Sequence, residues 1–141
     1  MRLRLRLAEP SYPRNRKAGI TLIAVSILLR FFSFSQVMRI LETVSSLLRF
    51  ATPSLTGIPP ELLNQLRHEA RHCPLQVRCL EFAVSCWFLL KCLHLRPELV
   101  VGVRLLDARL TSHAWVELDG VPVDSGDNAA RVLYTSLQRY R

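Results

Sequence analysis

The most constraining stretch of this chain runs from Ser112 to Asp124, where strand-forming residues flank a strong turn signal. Asp119-Gly120 is typical of a two-residue hairpin turn, and apolar strand formers alternate on both sides of it. We therefore predict one β-hairpin. His113 lies on its first strand and Asp124 near the end of its second, so the two are at best diagonal neighbours across the strands. Such a pair can orient an imidazole.

An oriented imidazole needs a group to activate, and Cys79 is the candidate nucleophile. Residues 80–93 are apolar around most of the helical circumference, which predicts a centrally buried helix with Cys79 near its start. The unpaired N–H groups and the positive dipole end at that point favour a thiolate and could stabilise an acyl oxyanion. The cysteines at positions 73, 86 and 92 match no zinc-ribbon spacing and are better explained as reduced filler or surface residues.

Length and charge distribution predict one modest domain with an extension. The chain has 141 residues, half of them hydrophobic, and a net charge of +8. Residues 1–50 hold nine Arg or Lys against two acidic residues, so the basicity belongs to the N-terminal third. A Pro- and Gly-rich hinge follows at 52–60. We predict a basic arm and helical extension over 1–57 and the core domain over 58–141.

Residues 18–49 show helical spacing of apolar side chains and predict one or two helices. These helices could offer an apolar face to a partner or a bilayer, or they could pack on the core. We favour packing, because a small domain needs cover for its core. The apolar run is too short to span a membrane and is not followed by a secretory cleavage site. The basic residues show no aromatic interleaving or recognition motif, so we expect no nucleic-acid partner.

The remaining elements complete an α+β order. We predict a helix from Pro60-Glu61 to about His72, a strand over 98–105 with a bulge or close approach at Gly102, a connection over 107–111, and a final helix within 129–141. The chain thus has a helix bearing a cysteine, then strands bearing a histidine and an aspartate. This order predicts a papain-like or transglutaminase-like α+β core with antiparallel strands and an N-terminal helical extension.

A zinc site is a further hypothesis, and the sequence gives it little support. His68 and His72 are four residues apart on the helix and Cys73 follows them. The spacing is weak evidence, and an amphipathic surface helix explains it better, so we expect neither a metal nor a cofactor.

Four segments together resemble the leader peptidases of lasso-peptide biosynthesis, the transglutaminase-like B proteins: Arg78-Cys79-Leu80, Leu89-Leu90-Lys91, 98–104 and 112–120. The resemblance covers roughly residues 70–125. It implies that Cys79 is the nucleophile, His113 the general base and acid, and Asp124 the orienting carboxylate. Asp119 and Asp127 are close in sequence and remain alternatives for the third position.

The resemblance also implies a function. The protein is expected to remove the leader from a ribosomally made lasso-peptide precursor, as part of antibiotic biosynthesis. This cleavage frees the amine of the core peptide, and a partner cyclase then uses that amine to form the macrolactam. The chain has no room for a fused winged-helix recognition domain, so we expect a separate recognition protein. We expect a cytoplasmic protein, with peripheral contact to the inner membrane through residues 18–50 as an open question. The alternative is a non-catalytic, membrane-associated adaptor with a structural hairpin.

Overall fold

The computed structural model describes residues 16–49, 57–59, 61–124 and 132–141. The basic arm before residue 16, most of the hinge at 52–60, and Asp127 lie outside these residues. The described ranges contain the following elements: α1 (Arg16–Phe31), α2 (Phe34–Leu48), α3 (Leu62–His72), α4 (Cys79–Cys92), β1 (Pro97–Leu106), β2 (Arg109–Leu118), β3 (Val121–Pro122) and β4 (Thr135–Tyr140).

The region predicted as one or two helices forms two, because Ser33 begins a new helix. Its backbone is extended, its hydroxyl accepts a hydrogen bond from the Gln36 N–H, and the Gln36 side chain accepts one from the Ser33 N–H. This reciprocal cap satisfies N–H groups that the first turn of α2 leaves without intrahelical acceptors. None of the described helices is long and apolar enough to cross a membrane.

The strands form one antiparallel sheet in the order β3-β2-β1-β4. β1 and β2 pair without interruption from Pro97↔Leu118 to Leu106↔Arg109. The predicted connection over 107–111 was therefore too long. Asp107 and Ala108 both have positive φ, 51° and 60°, so a two-residue turn suffices and β2 resumes at Arg109.

The hairpin predicted from Asp119-Gly120 is confirmed. Both turn residues have positive φ, 52° and 76°, which glycine adopts without strain at the second position. The second strand is only two residues long, although the Val123 N–H still donates to the Val116 carbonyl at 2.9 Å. Asp124 therefore lies just beyond the ladder.

The predicted C-terminal helix is wrong for the last part of the chain, where Thr135–Tyr140 forms β4 and pairs with β1. Apolar residues at helical offsets suggested the helix, but Leu137 among them is 67% exposed. The residue that reaches the core is Tyr140, whose ring lies 5.0 Å from that of Phe34. Pairing with β4 supplies hydrogen-bond partners to the backbone groups along one edge of β1. The spacing of apolar residues within 129–141 carries no information about that distant edge.

The core lies between the helices and one face of the sheet, with α4 at its centre. Its buried members come from α1 and α2 as well as from α4 and the strands; among them are Ala18, Leu22, Val25, Val37, Met38, Leu41, Val84, Trp87, Leu90, Leu99, Ala114 and Val116. The prediction that the N-terminal helices pack on the core is thus confirmed for one side of each. The domain boundary at residue 57 stays a prediction.

The two faces of the sheet have different surroundings. Ala114 and Val116 belong to the core that contains α4. The side chains of the alternate positions point to the other face, which we call the outer face: Val100, Gly102, His113, Trp115 and Glu117.

Gly102 lies beneath a ring on the outer face. A Cβ there would stand 2.9 Å from the Trp115 ring and 3.1 Å from the Thr135 carbonyl oxygen, and the β1–β4 register shifts between Val101 and Gly102. The predicted bulge with close approach is therefore confirmed.

Candidate active site

Cys79 is the first residue of α4, and its side chain is exposed. The preceding Arg78 is extended, with φ −95° and ψ 176°, and its N–H donates to the Glu81 carboxylate at 3.1 Å. The helical ladder begins with the Phe82 N–H donating to the Arg78 carbonyl at 3.0 Å. The N–H groups of residues 79–81 precede this ladder and have no intrahelical acceptor, so they are suitable donors for an oxyanion beside the thiol.

The other three cysteines have different environments. Cys86 and Cys92 are buried in the core, Cys73 is half-buried after α3, and none of the four cysteines forms a disulfide. Burial raises the pKa of the Cys92 thiol, and Arg49 offsets only part of that effect. A raised pKa leaves less thiolate at neutral pH, which makes this cysteine a poor nucleophile.

This contrast predicts an order of thiol alkylation. With iodoacetamide at neutral pH, Cys79 is expected to react first, whereas Cys92 reacts slowly because it is buried and its pKa is raised. Raising the pH should speed the reaction of Cys92. Peptide mass spectrometry after timed quenching measures each site, and half-buried Cys73 serves as the internal comparison. Modification of Cys92 before Cys79 would contradict the described burial.

His113 lies in the middle of β2 and is half-buried. Its ring stacks with that of Trp115, with centroids 6.0 Å apart at 20°, and lies 5.5 Å from the ring of Tyr134. These contacts are on the outer face, whereas α4 packs on the opposite face. The ring contacts of His113 are thus with Trp115 and Tyr134, and its pairing with the Cys79 thiol stays a prediction.

Asp124 lies on the helical side of the hairpin. Its carboxylate pairs with Arg67 of α3 at 2.5 Å, and the side chain is 21% exposed. It lines a small cavity together with Phe82 and Ala83 of the first turns of α4 and with Ala114 of β2. The structure thus places Asp124 close to the end of α4 at which Cys79 lies.

The alternative Asp119 lies elsewhere. It lines a surface pocket with Arg49 and Lys91, next to the last turn of α4. At about 1.5 Å per residue, Lys91 is roughly 18 Å along the helix from Cys79. The other alternative, Asp127, lies outside the described residues.

Two charged residues that contact the site residues or their neighbours were not identified from the sequence. Arg67 pairs with Asp124 across 57 positions of sequence, and no local pattern could have indicated that contact. Glu117 is 1% exposed; it accepts a hydrogen bond from the Trp115 indole at 3.0 Å and one from Arg139 at 2.8 Å. Strand alternation from His113 through Trp115 could have placed Glu117 on the same face.

The ion pairs around Glu117 join three strands. Arg139 of β4 also contacts Glu98 of β1 at 3.1 Å, and Arg141 contacts Glu98 at 2.6 Å. The hydrogen bond to Glu117 raises the pKa of Arg139, while the bonds from Arg141 and then Arg139 lower the pKa of Glu98. This network fastens the C-terminal strand to the sheet that carries His113.

The zinc hypothesis finds no support in the described residues. The rings of His68 and His72 lie 4.4 Å apart, but His72 Nδ1 is 2.8 Å from the His68 carbonyl oxygen of the same helix. Among the residues that the structure describes, no group of three or more His, Cys, Asp or Glu side chains could hold a metal ion.

A central helix that begins at an exposed cysteine and packs on an antiparallel sheet defines an α+β protein of the papain-like and transglutaminase-like class. The chain matches the Transglutaminase-like superfamily over residues 21–139, from α1 into β4, and it belongs to that superfamily. The superfamily includes cysteine peptidases. No curated protein matched the chain, and no solved structure did.

Proposed function

We propose that this protein is a cysteine peptidase that removes the leader peptide from a ribosomally made lasso-peptide precursor. The observation that carries the proposal is the exposed thiol of Cys79 at the N-terminus of the central helix in a transglutaminase-like domain. The resemblance of residues 78–80, 89–91, 98–104 and 112–120 to the lasso leader peptidases supports the choice of substrate.

The first half of the reaction forms an acyl-enzyme. The Cys79 sulfur attacks the carbonyl of the leader's last residue, and its proton passes to His113. The N–H groups at the start of α4 stabilise the oxyanion. When the C–N bond breaks, His113 returns the proton to the departing amine, and the core peptide leaves with a free N-terminus.

The second half releases the leader. Water gives a proton to His113 and attacks the thioester carbonyl, and the Cys79 sulfur leaves and regains a proton from the imidazole. The products are a leader with a free carboxylate and a core with a free amine. That amine is the group that a partner cyclase joins to an acidic side chain.

Proton transfer requires the imidazole to be within hydrogen-bond reach of the thiol, about 3 to 3.5 Å. The described conformation has His113 stacked on Trp115 on the outer face of the sheet. Our proposal therefore requires the His113 imidazole to reach the Cys79 thiol when substrate is bound. Among the carboxylates, we propose Asp124 as the orienting group because it lines a cavity beside the first turns of α4, whereas Asp119 lies beside the last turn.

The proposed partners are the precursor, a separate winged-helix recognition protein that binds the leader, and the lasso cyclase. We propose that the reaction takes place in the cytoplasm without a cofactor. Nothing in this mechanism involves nucleic acid.

The decisive assay is cleavage of the cognate precursor by the purified chain together with the recognition protein. Mass spectrometry is expected to show one cut at the leader–core junction, with a free carboxylate on the leader and a free amine on the core. Turnover should require both proteins. If the recognition protein alone cleaves the precursor equally well, this protein is not the peptidase. That result would favour the alternative function as a non-catalytic adaptor.

A further inference from the structure

Helix α1 is apolar on two opposite sides. One side packs into the core through Ala18, Leu22 and Val25, each at most 1% exposed. The opposite side carries Ile20, Ile23, Ile27 and Phe31, which are 66%, 37%, 44% and 78% exposed. We call these four residues the outer stripe. Their spacings of three and four align them along one line of the helix.

The outer stripe continues at the end of the helix, where Phe32 is 48% exposed. A helix that is apolar all round is normally buried on all sides. Here the described part of the chain buries only one side, and large apolar side chains on the other side are exposed over the length of α1. Such a contiguous apolar surface is typical of a binding site rather than of a solvated face.

The charged residues of α1 itself are all basic. Arg16 and Lys17 begin the helix, Arg30 lies in its last turn, and α1 contains no acidic residue. Glu69 of α3 packs against the helix under Gly19 and is 8% exposed. Arg16 at one end of the stripe and Arg30 at the other are both exposed.

An apolar line edged by cations matches the boundary between headgroups and acyl chains of an anionic bilayer. The helix is too short to span such a bilayer, but it can lie in the plane of the interface with its apolar side chains inserted. Arginine and lysine beside the inserted side chains are attracted to anionic headgroups. We propose that the outer stripe of α1 docks the protein on the surface of an anionic lipid bilayer.

Vesicle sedimentation tests this proposal with the full chain. The wild-type protein is expected to bind vesicles of phosphatidylcholine with a minority of phosphatidylglycerol, and to bind less at high salt or to phosphatidylcholine alone. The double variant Ile27→Glu/Phe31→Glu should lose at least about tenfold in partition coefficient, because charged side chains are not inserted. Arg30→Gln should lose about fivefold on anionic vesicles and nothing on neutral ones.

The matched control is Leu105→Glu. Leu105 is 71% exposed at the far end of β1, outside the outer stripe. This variant therefore tests whether replacing any exposed apolar residue with Glu reduces vesicle binding. Circular dichroism confirms that each variant is folded. Unchanged vesicle binding in the double variant, or an equal loss in Leu105→Glu, overturns the proposal. So does a wild-type dimer that the double variant converts to monomer without lipid, since a second copy would then cover the stripe.

This docking surface is independent of the peptidase mechanism. Failure of vesicle binding leaves precursor cleavage untouched, and failure of cleavage leaves vesicle binding untouched. The two experiments therefore separate the two proposals.

Discussion

Cys79→Ala is expected to abolish precursor cleavage, with a loss of at least about a thousandfold in rate, because the nucleophile is removed. The side chain is exposed at the first position of α4, so truncating it creates no cavity in the core. The free energy of unfolding should therefore change by less than about 0.5 kcal/mol. Product formation followed by mass spectrometry, together with a urea unfolding curve, measures both effects.

The matched control for this variant is Cys73→Ala. Cys73 is also a free, non-core thiol, yet it follows α3 rather than beginning α4. It should cleave the precursor at close to the wild-type rate. Full activity in Cys79→Ala, or equal losses in both variants, would rule out Cys79 as the specific nucleophile.

The variant His113→Ala tests the proposed general base separately from the nucleophile. If His113 is the base, cleavage should fall nearly as far as in Cys79→Ala, because residues that act as a unit are not additive. If His113→Ala still cleaves the precursor while Cys79→Ala is inactive, another group activates the Cys79 thiol. The imidazole would then serve only in the ring contacts with Trp115 and Tyr134 on the outer face.

Glu117→Ala is expected to cause the largest loss of stability, about 2 to 4 kcal/mol. The carboxylate is 1% exposed and accepts hydrogen bonds from the Trp115 indole and from Arg139. Its removal leaves the buried indole N–H of Trp115 without this acceptor and removes the ion pair between Glu117 of β2 and Arg139 of β4. The Arg139 end is 43% exposed, so most of the cost arises at the buried end.

Urea denaturation measures this loss as a lower midpoint with an unchanged slope. Glu98→Ala is the control, because Glu98 also contacts Arg139 but is more exposed, at 20% of its side chain. It should cost under about 1 kcal/mol. Equal losses in the two variants would mean that burial of Glu117 adds nothing to its ion pair.

The local elements around the site could be predicted because short-range rules determine them. Asp119-Gly120 has the backbone preferences of a tight hairpin turn, and both residues do adopt positive φ. The apolar run after residue 79 predicted the central helix, which begins at Cys79. Gly102 indicated a close approach, and the Trp115 ring occupies the space that its Cβ would need.

The C-terminal strand could not be predicted in the same way. A few apolar residues at helical offsets favoured a helix, yet the free edge of β1 supplies backbone partners that make residues 135–140 a strand. The contact of Arg67 with Asp124 and that of Arg139 with Glu117 also depend on packing between distant segments. Strand propensity in particular depends on such tertiary context.

By itself the sequence determined the hairpin, the central helix with Cys79 at its start, and the α+β class. The physical reason is that a strong turn pair and a long, strongly apolar run act over neighbouring residues and depend little on distant contacts. Only the tertiary structure decided which face of the sheet carries His113, which carboxylate lies near the start of α4, and which side of α1 stays exposed. Those outcomes depend on which surfaces are buried against one another, and burial is a property of the whole fold.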